Sequence, residues 1–223
     1  KLADGILAMQ VRDHAKMNGA IESWPGLWHA WGNTQVQALA ELALILDDST
    51  LVAAVQISAD FFLGRLAAGK IFSIYNFEEN DFSDYPQIAY DIRTTSLGLI
   101  GAYKVTGDEN YASLAGLSAS WLTGNNIAKA SMYNKKSGRI YDGIDKRGVN
   151  QNSGAESTIE GLYTLLEIEK IKFAREWLYA RNSGTVASLF TDPTARNEFE
   201  ADDEKLTATW NNDKNIIEIR IQK

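Results

Sequence analysis

The feature that constrains this chain most is the unequal length of the links between its helical stretches. Apolar residues recur at helical spacing over 2–16, 28–46, 51–67, 87–104, 109–122, 154–168 and 171–181. The links at 47–50, 105–108 and 168–170 are tight, whereas those at 17–26, 69–86 and 123–152 are long. In a row of antiparallel helices, alternate links fall at the same end. The three long links are therefore expected on one face and the three tight turns on the other. Long loops in a compact domain are uncommon and usually carry function. A solenoid would keep a fixed period of about 34–47 residues, but the helix pairs here start unevenly, near 28, 87 and 154. A closed α/α toroid of helical hairpins, mainly α in class, fits better.

Beyond Asn182-Ser-Gly184 the pattern changes period. Residues 185–190, 206–210 and 216–221 read as short strands, with a turn at 211–213. The expected organisation is a helical-hairpin domain over 1–182 and a small β appendage over 183–223.

The formal charge is −7 and no run of Lys or Arg is present, which argues against binding nucleic acid through its phosphates. Cysteine is absent, so disulfides and thiolate metal sites are excluded. No uncharged apolar run approaches the roughly 18 residues that suggest a membrane span. The sequence starts at Lys1 and reads as helix from Leu2. Further helices are accordingly expected from a missing N-terminal part, and localisation stays open between extracellular and cytoplasmic.

The polar stretch Asn150-Gln-Asn-Ser-Gly-Ala-Glu156-Ser-Thr-Ile-Glu160 closes the third long link and opens a helix. One reading is a capping box, with Ser153 as N-cap and Glu156 reaching back to its N–H. The other is a carboxylate, amides and a hydroxyl gathered at a helix mouth for chemistry. Both readings stand at this level.

Four motifs carry a resemblance: Ser23-Trp-Pro-Gly-Leu-Trp-His-Ala-Trp-Gly-Asn33, Tyr90-Asp-Ile-Arg93, Ala119-Ser-Trp-Leu-Thr-Gly-Asn-Asn126, and 150–160. In this order, on these loops, they make residues 1 to about 181 resemble the six-hairpin glycosidase superfamily, loosely its family 9 cellulases. The resemblance implies an (α/α)6 barrel, of which this chain would form about the C-terminal half. It also implies hydrolysis of a poly- or oligosaccharide, with Glu156 as general acid. In that family the acid follows an Asn, whereas Glu156 follows Ala155. The Asp-Ala-Gly-Asp motif that holds the base has no counterpart here.

Glycoside hydrolysis needs two carboxyl groups flanking the bond, one protonated and one ionised. Glu156 borders an apolar helix face, which raises a carboxyl pKa, while the helix N-terminus favours the anion. Glu160, one turn on, is the second choice. Asp91 is a partner candidate, with Arg93 expected to keep it ionised; the plain alternative is an Asp offsetting a helix dipole. Asp142 and Asp145 are loop carboxylates suited to base or sugar-ligand roles, and their spacing does not match a calcium EF-hand. Trp24, Trp28, Trp31, Tyr90 and Tyr141 offer stacking faces, and Asn33, Asn150, Asn152 and Arg93 offer hydrogen bonds to hydroxyls. Trp28 and Trp31 lie three apart on an expected helix, so core packing competes for them. His14 and His29 are not metal-spaced, and neither metal nor cofactor is expected.

The expected function is thus a carbohydrate-active enzyme, a glycoside hydrolase with a carbohydrate substrate. The alternative from another class is a helical-hairpin module that binds a glycan or protein without chemistry. Polysaccharide lyases and sugar epimerases share the scaffold.

Overall fold

The computed structural model describes residues 1–214 and 216–222. The first helix, α1 (Leu2–Ala8), ends well short of the expected residue 16. Gln10 leaves it to bridge Ile21, and its buried amide donates to Ala54 O at 2.8 Å and Ser58 Oγ at 2.7 Å. A buried amide needs such partners, and Asp13 then turns the backbone into the left-handed region at φ 57°. The second helix, α2 (Gln35–Leu46), begins seven residues later than expected because Gly26 and Gly32 hold φ near +79° and +74°. Ahead of it lies strand β1 (Leu27–His29).

Asp48 caps α3 (Ser49–Ser58) by accepting from Thr50 and Leu51 N–H, as the tight link at 47–50 anticipates. A π-turn over Ala59–Leu63 carries α3 into α4 (Gly64–Ala68). The run Ser49–Ala68 is long and apolar enough to cross a membrane by length, yet 67% of it is buried within the fold. The second long link holds β2 (Ile74–Asn76), β3 (Asp81–Ser83) and β4 (Gln87–Ile88). Helix α5 (Ala89–Thr106) follows, and Gly107 in the left-handed region with Asp108 as N-cap turns the chain into α6 (Glu109–Ala119). The third link contains β5 (Tyr133–Asn134), β6 (Arg139–Ile140), β7 (Gly143–Asp145) and β8 (Gly148–Asn150). Then come α7 (Ala155–Glu169), α8 (Lys172–Arg175), β9 (Arg181–Asn182), β10 (Arg196–Ala201), β11 (Glu204–Asn211) and β12 (Ile216–Gln222).

Helix α5 is the axis of the core, packed against α2, α6 and α7. Close approach relies on glycine: a Cβ on Gly101 would lie 2.7 Å from the Ala40 Cβ, and one on Gly98 2.7 Å from Leu63. On the other side, Gly116 of α6 receives the backbone carbonyl of Ala174 in α8 so closely that no side chain fits.

The sheet of order β12-β11-β10-β9 lies against the helices, and Phe199, Leu206 and Ala208 join the main apolar core. The Arg65 guanidinium, buried, donates to Leu189 O at 2.8 Å and sits 4.2 Å from the rings of both Phe190 and Trp210. Asn197 reaches from β10 to Ala68 O at 2.9 Å.

This architecture overturns the mainly α toroid with a small C-terminal β element. The protein is a mixed α and β fold, 41% helix and 21% strand. Its strands form four small antiparallel sheets among the described residues; the β5-β6 sheet lies wholly within the third long link, and two others join strands of the long links to β1 and β4, which take up residues expected at helix starts. The reason is length. Strands β1 to β9 span two or three residues each, too few for an alternating pattern to register. The strand expected at 185–190 does not form either; Asn197 Oδ1 takes the Ala187 N–H and its Nδ2 serves the Ala187 carbonyl, replacing a ladder. The helix expected over 171–181 shortens to the single turn of α8.

Candidate functional site

The three long links are stitched together by backbone pairing. β1 of the first pairs with β2 of the second, Trp28 opposite Tyr75, and β4 of the second pairs with β7 of the third, Ile88 opposite Gly143. Thr94 Oγ1 adds a 3.0 Å bond to Ala30 O, fixing the end of β1 beside the first turns of α5. The links therefore form one continuous face across the N-termini of α5 and α7.

On this face the aromatic residues of the first link split into two groups. Trp24 is 53% exposed and meets the His29 ring edge-on at 4.9 Å. His29 in turn stacks on Trp31 at 4.5 Å and 15°. Burial of the His29 ring lowers its pKa, keeping it neutral between the two indoles. Trp28 behaves differently: it lies on a strand, not a helix, and is buried against Phe62 and Phe72, so it is a core residue and not a sugar platform. Asn33 is spent on a 2.9 Å bond to Ile21 O that closes the link.

Further along the face, Arg93 Nε approaches Glu160 Oε2 to 3.1 Å, with the Arg93 guanidinium 5.8 Å from the Tyr90 ring and 5.6 Å from the Tyr163 ring. The two charges are close but off the line of a hydrogen bond. Arg93 thus pairs with Glu160 rather than with Asp91. Asp91 lies beneath the face, 2% exposed, taking the Ile88 N–H on Oδ2 at 2.9 Å as an N-terminal cap of α5. Its Oδ1 is buried without a partner among the described residues. Burial raises its pKa to about 8, the opposite of the ionised state expected beside Arg93.

The mouth of α7 is held by Asp142, whose Oδ1 accepts from Gly154 N–H and Ser157 Oγ, both at 2.8 Å. Gly154 is the N-cap, so the box between Ser153 and Glu156 does not form; Ser153 instead pairs with Thr158 at 3.1 Å. Glu156 stands exposed in the first turn of α7, close in sequence to the Ser157 that Asp142 holds. Asn150 and Asn152 are exposed, tied to each other through an Asn152 N–H bond to Asn150 Oδ1. Asp145 turns away at the β7–β8 hairpin, where Arg147 holds its carboxyl below the usual range. Tyr141 accepts from Asn134 Nδ2 at 3.3 Å and packs on a satellite core.

The structure therefore brings Trp24 and Trp31 together through His29, Tyr90 and Arg93 together with Glu160, and Asp142 next to the helix turn of Glu156. It leaves Trp28, Asp91, Asp145 and Tyr141 outside that set. Sequence reasoning missed His29 as the spacer between two indoles, although its position between Trp28 and Trp31 was a signal. It also missed Tyr163.

Away from the Trp24–His29–Trp31 cluster, a cavity of about 420 Å³ opens between the ends of α4 and α6, the starts of the second and third links and the segment 182–186, lined by Ile71, Ile127 and Val186 among others.

No family model matches the chain, and no curated protein matches it in sequence. With the mixed class of the fold, this removes the resemblance to six-hairpin glycosidases and their (α/α)6 barrel.

Proposed function

We propose that this protein is a glycan-binding module that holds a saccharide across the joined links without cleaving it. The observation that carries this reading is the Trp24–His29–Trp31 cluster, with one indole half open to solvent and the other stacked on a neutral imidazole. Sugar rings present apolar C–H faces that lie on such indoles, and fixed rings lose little freedom on binding. The exposed amides of Asn150 and Asn152 supply hydroxyl partners on the same face. Three carboxylates that a hydrolase could use are committed elsewhere: Asp91 is buried, Asp145 faces Arg147, and Glu160 faces Arg93.

Affinity electrophoresis in gels containing xylan, carboxymethylcellulose or polygalacturonate tests this reading. Retardation in one of these gels, lost in Trp24→Ala, is the expected result. Unchanged mobility in all three, or equal retardation of Trp24→Ala, overturns it.

A second reading, glycoside hydrolysis, is favoured by one observation: Asp142 and Glu156 flank the same helix mouth. Release of reducing ends by the native protein, abolished in Glu156→Gln, would replace the binding reading with this one.

A further inference from the structure

The 420 Å³ cavity draws on the second and third links but includes none of Trp24, His29 and Trp31, and it falls within the size range of small-molecule sites, about 300–1,000 Å³. Its open apolar lining is Ile71, Val186 and the exposed Ile127, backed by the buried Leu117, Trp121 and Phe199. Trp121 is fixed behind that lining by donating its Nε1–H to Gln87 Oε1 at 3.1 Å.

The mouth is built differently. Gly124, at φ 122°, turns the chain out of α6 into a tight loop that carries Asn126 and Lys129 to the rim. The Asn126 side chain donates to Trp121 O and Ala130 O at 2.8 and 2.7 Å and accepts from the Ala130 N–H. These bonds hold Lys129 in the left-handed region, at φ 48°, with its N–H on Asn126 O. A lysine in that conformation carries backbone strain, and such strain gathers at ligand sites. No carboxylate lies within ion-pair distance of Lys129 among the described residues, whereas Lys70, also on the rim, is neutralised by Asp84 at 2.5 Å. Asn182, also on the rim, donates to Asn125 Oδ1 at 3.1 Å.

An apolar chamber with one uncompensated cation at its entrance, in a protein of net charge −7, selects a ligand that is apolar at one end and anionic at the other. We infer that this cavity binds a small amphipathic carboxylate, with the apolar body against Ile71, Ile127 and Val186 and the carboxylate on Lys129.

Isothermal titration of the full chain with octanoate, 1-octanol and octylamine tests the inference. Octanoate is expected to bind one per chain, about tenfold more tightly than octanol, with octylamine weaker than both. Lys129→Gln should remove the tenfold preference and leave octanol binding as it was. Thr185→Trp, on the exposed rim segment, and Val186→Trp, in the apolar lining, should each abolish binding of both, and the exposed position guards against a folding defect at the half-buried one. Equal affinity for octanoate and octanol in the native protein overturns the inference. So does absence of binding, or octanoate binding that survives Thr185→Trp. Trp24→Ala must leave octanoate binding unchanged, which separates this site from the glycan face.

Discussion

Arg93 of α5 and Glu160 of α7 meet at 3.1 Å, with both side chains largely withdrawn from solvent at 17% and 20% exposure. They tie two neighbouring helices together just below the face that the links build. Removing one partner leaves the other charge partly buried and alone, which costs more than the pair contributes. Glu160→Gln or Arg93→Met should each destabilise the protein by about 1–3 kcal/mol. The double variant Arg93→Met/Glu160→Gln should recover most of the loss. Urea denaturation of the four proteins yields the coupling directly, and strictly additive losses would count against the pair.

Asp91 predicts a pH dependence of stability. Its carboxyl has a folded-state pKa of about 8 against an ordinary value of 3.8, because burial disfavours the anion. A group whose pKa rises on folding holds its proton more tightly in the native state. Its contribution is complete below the ordinary value, declines as pH rises through the interval between the two values, and levels off above the folded one. The decline amounts to on the order of a few kcal/mol. Asp91→Asn should flatten this slope and be more stable than the native protein at pH 8, as thermal unfolding from pH 4 to 9 would record. An unchanged slope in Asp91→Asn would exclude the buried acid as its source.

Asp142 and Glu156 are distinguished by what they hold. Asp142 fastens the start of α7 through two 2.8 Å bonds, whereas Glu156 extends into solvent from the first turn. Asp142→Ala should lower stability by about 1–2 kcal/mol, the usual worth of a charged helix cap. Glu156→Gln should change it by less than about 0.5 kcal/mol, as surface substitutions do. Denaturant midpoints compared at one pH decide the matter.

The contact of Gly116 with the Ala174 carbonyl leaves no room for a methyl group. Gly116→Ala must push α8 away from α6 and should cost about 2–4 kcal/mol, more than a helical glycine-to-alanine exchange ordinarily gains. Gly5→Ala, where a Cβ meets nothing within 4 Å, is the matched control and should be neutral or slightly stabilising.

Local chemistry was legible in the sequence, and contacts between distant segments were not. Asp48 and Asp108 cap the helices that follow them, and α5, α6 and α7 begin within two residues of where the pattern puts them, because caps and periodicity act over a few neighbours. The Asp142 cap on a helix twelve residues later could not be read, since nothing in its neighbourhood advertises a distant N–H. Trp28 was misplaced for a related reason. Apolar spacing suggested a helix through it, while the left-handed glycines at 26 and 32 confine it to a three-residue strand whose partner, Tyr75, comes from another link. The indole pair around His29 was half readable: the residue types were evident, the stacking was not.

The position of Arg65 sets where this chain can be shortened. Its guanidinium rests between the rings of Phe190 and Trp210 and bonds to Leu189 O, while burial draws its pKa down to about 10. A truncation that ends at the last helix would strip away the carbonyl and both rings at once, opening a bare cation in the centre of what remains. The shortest recombinant piece expected to stay folded therefore runs at least through Trp210. Proteolytic trimming of the native protein should halt outside that boundary rather than release the helices by themselves.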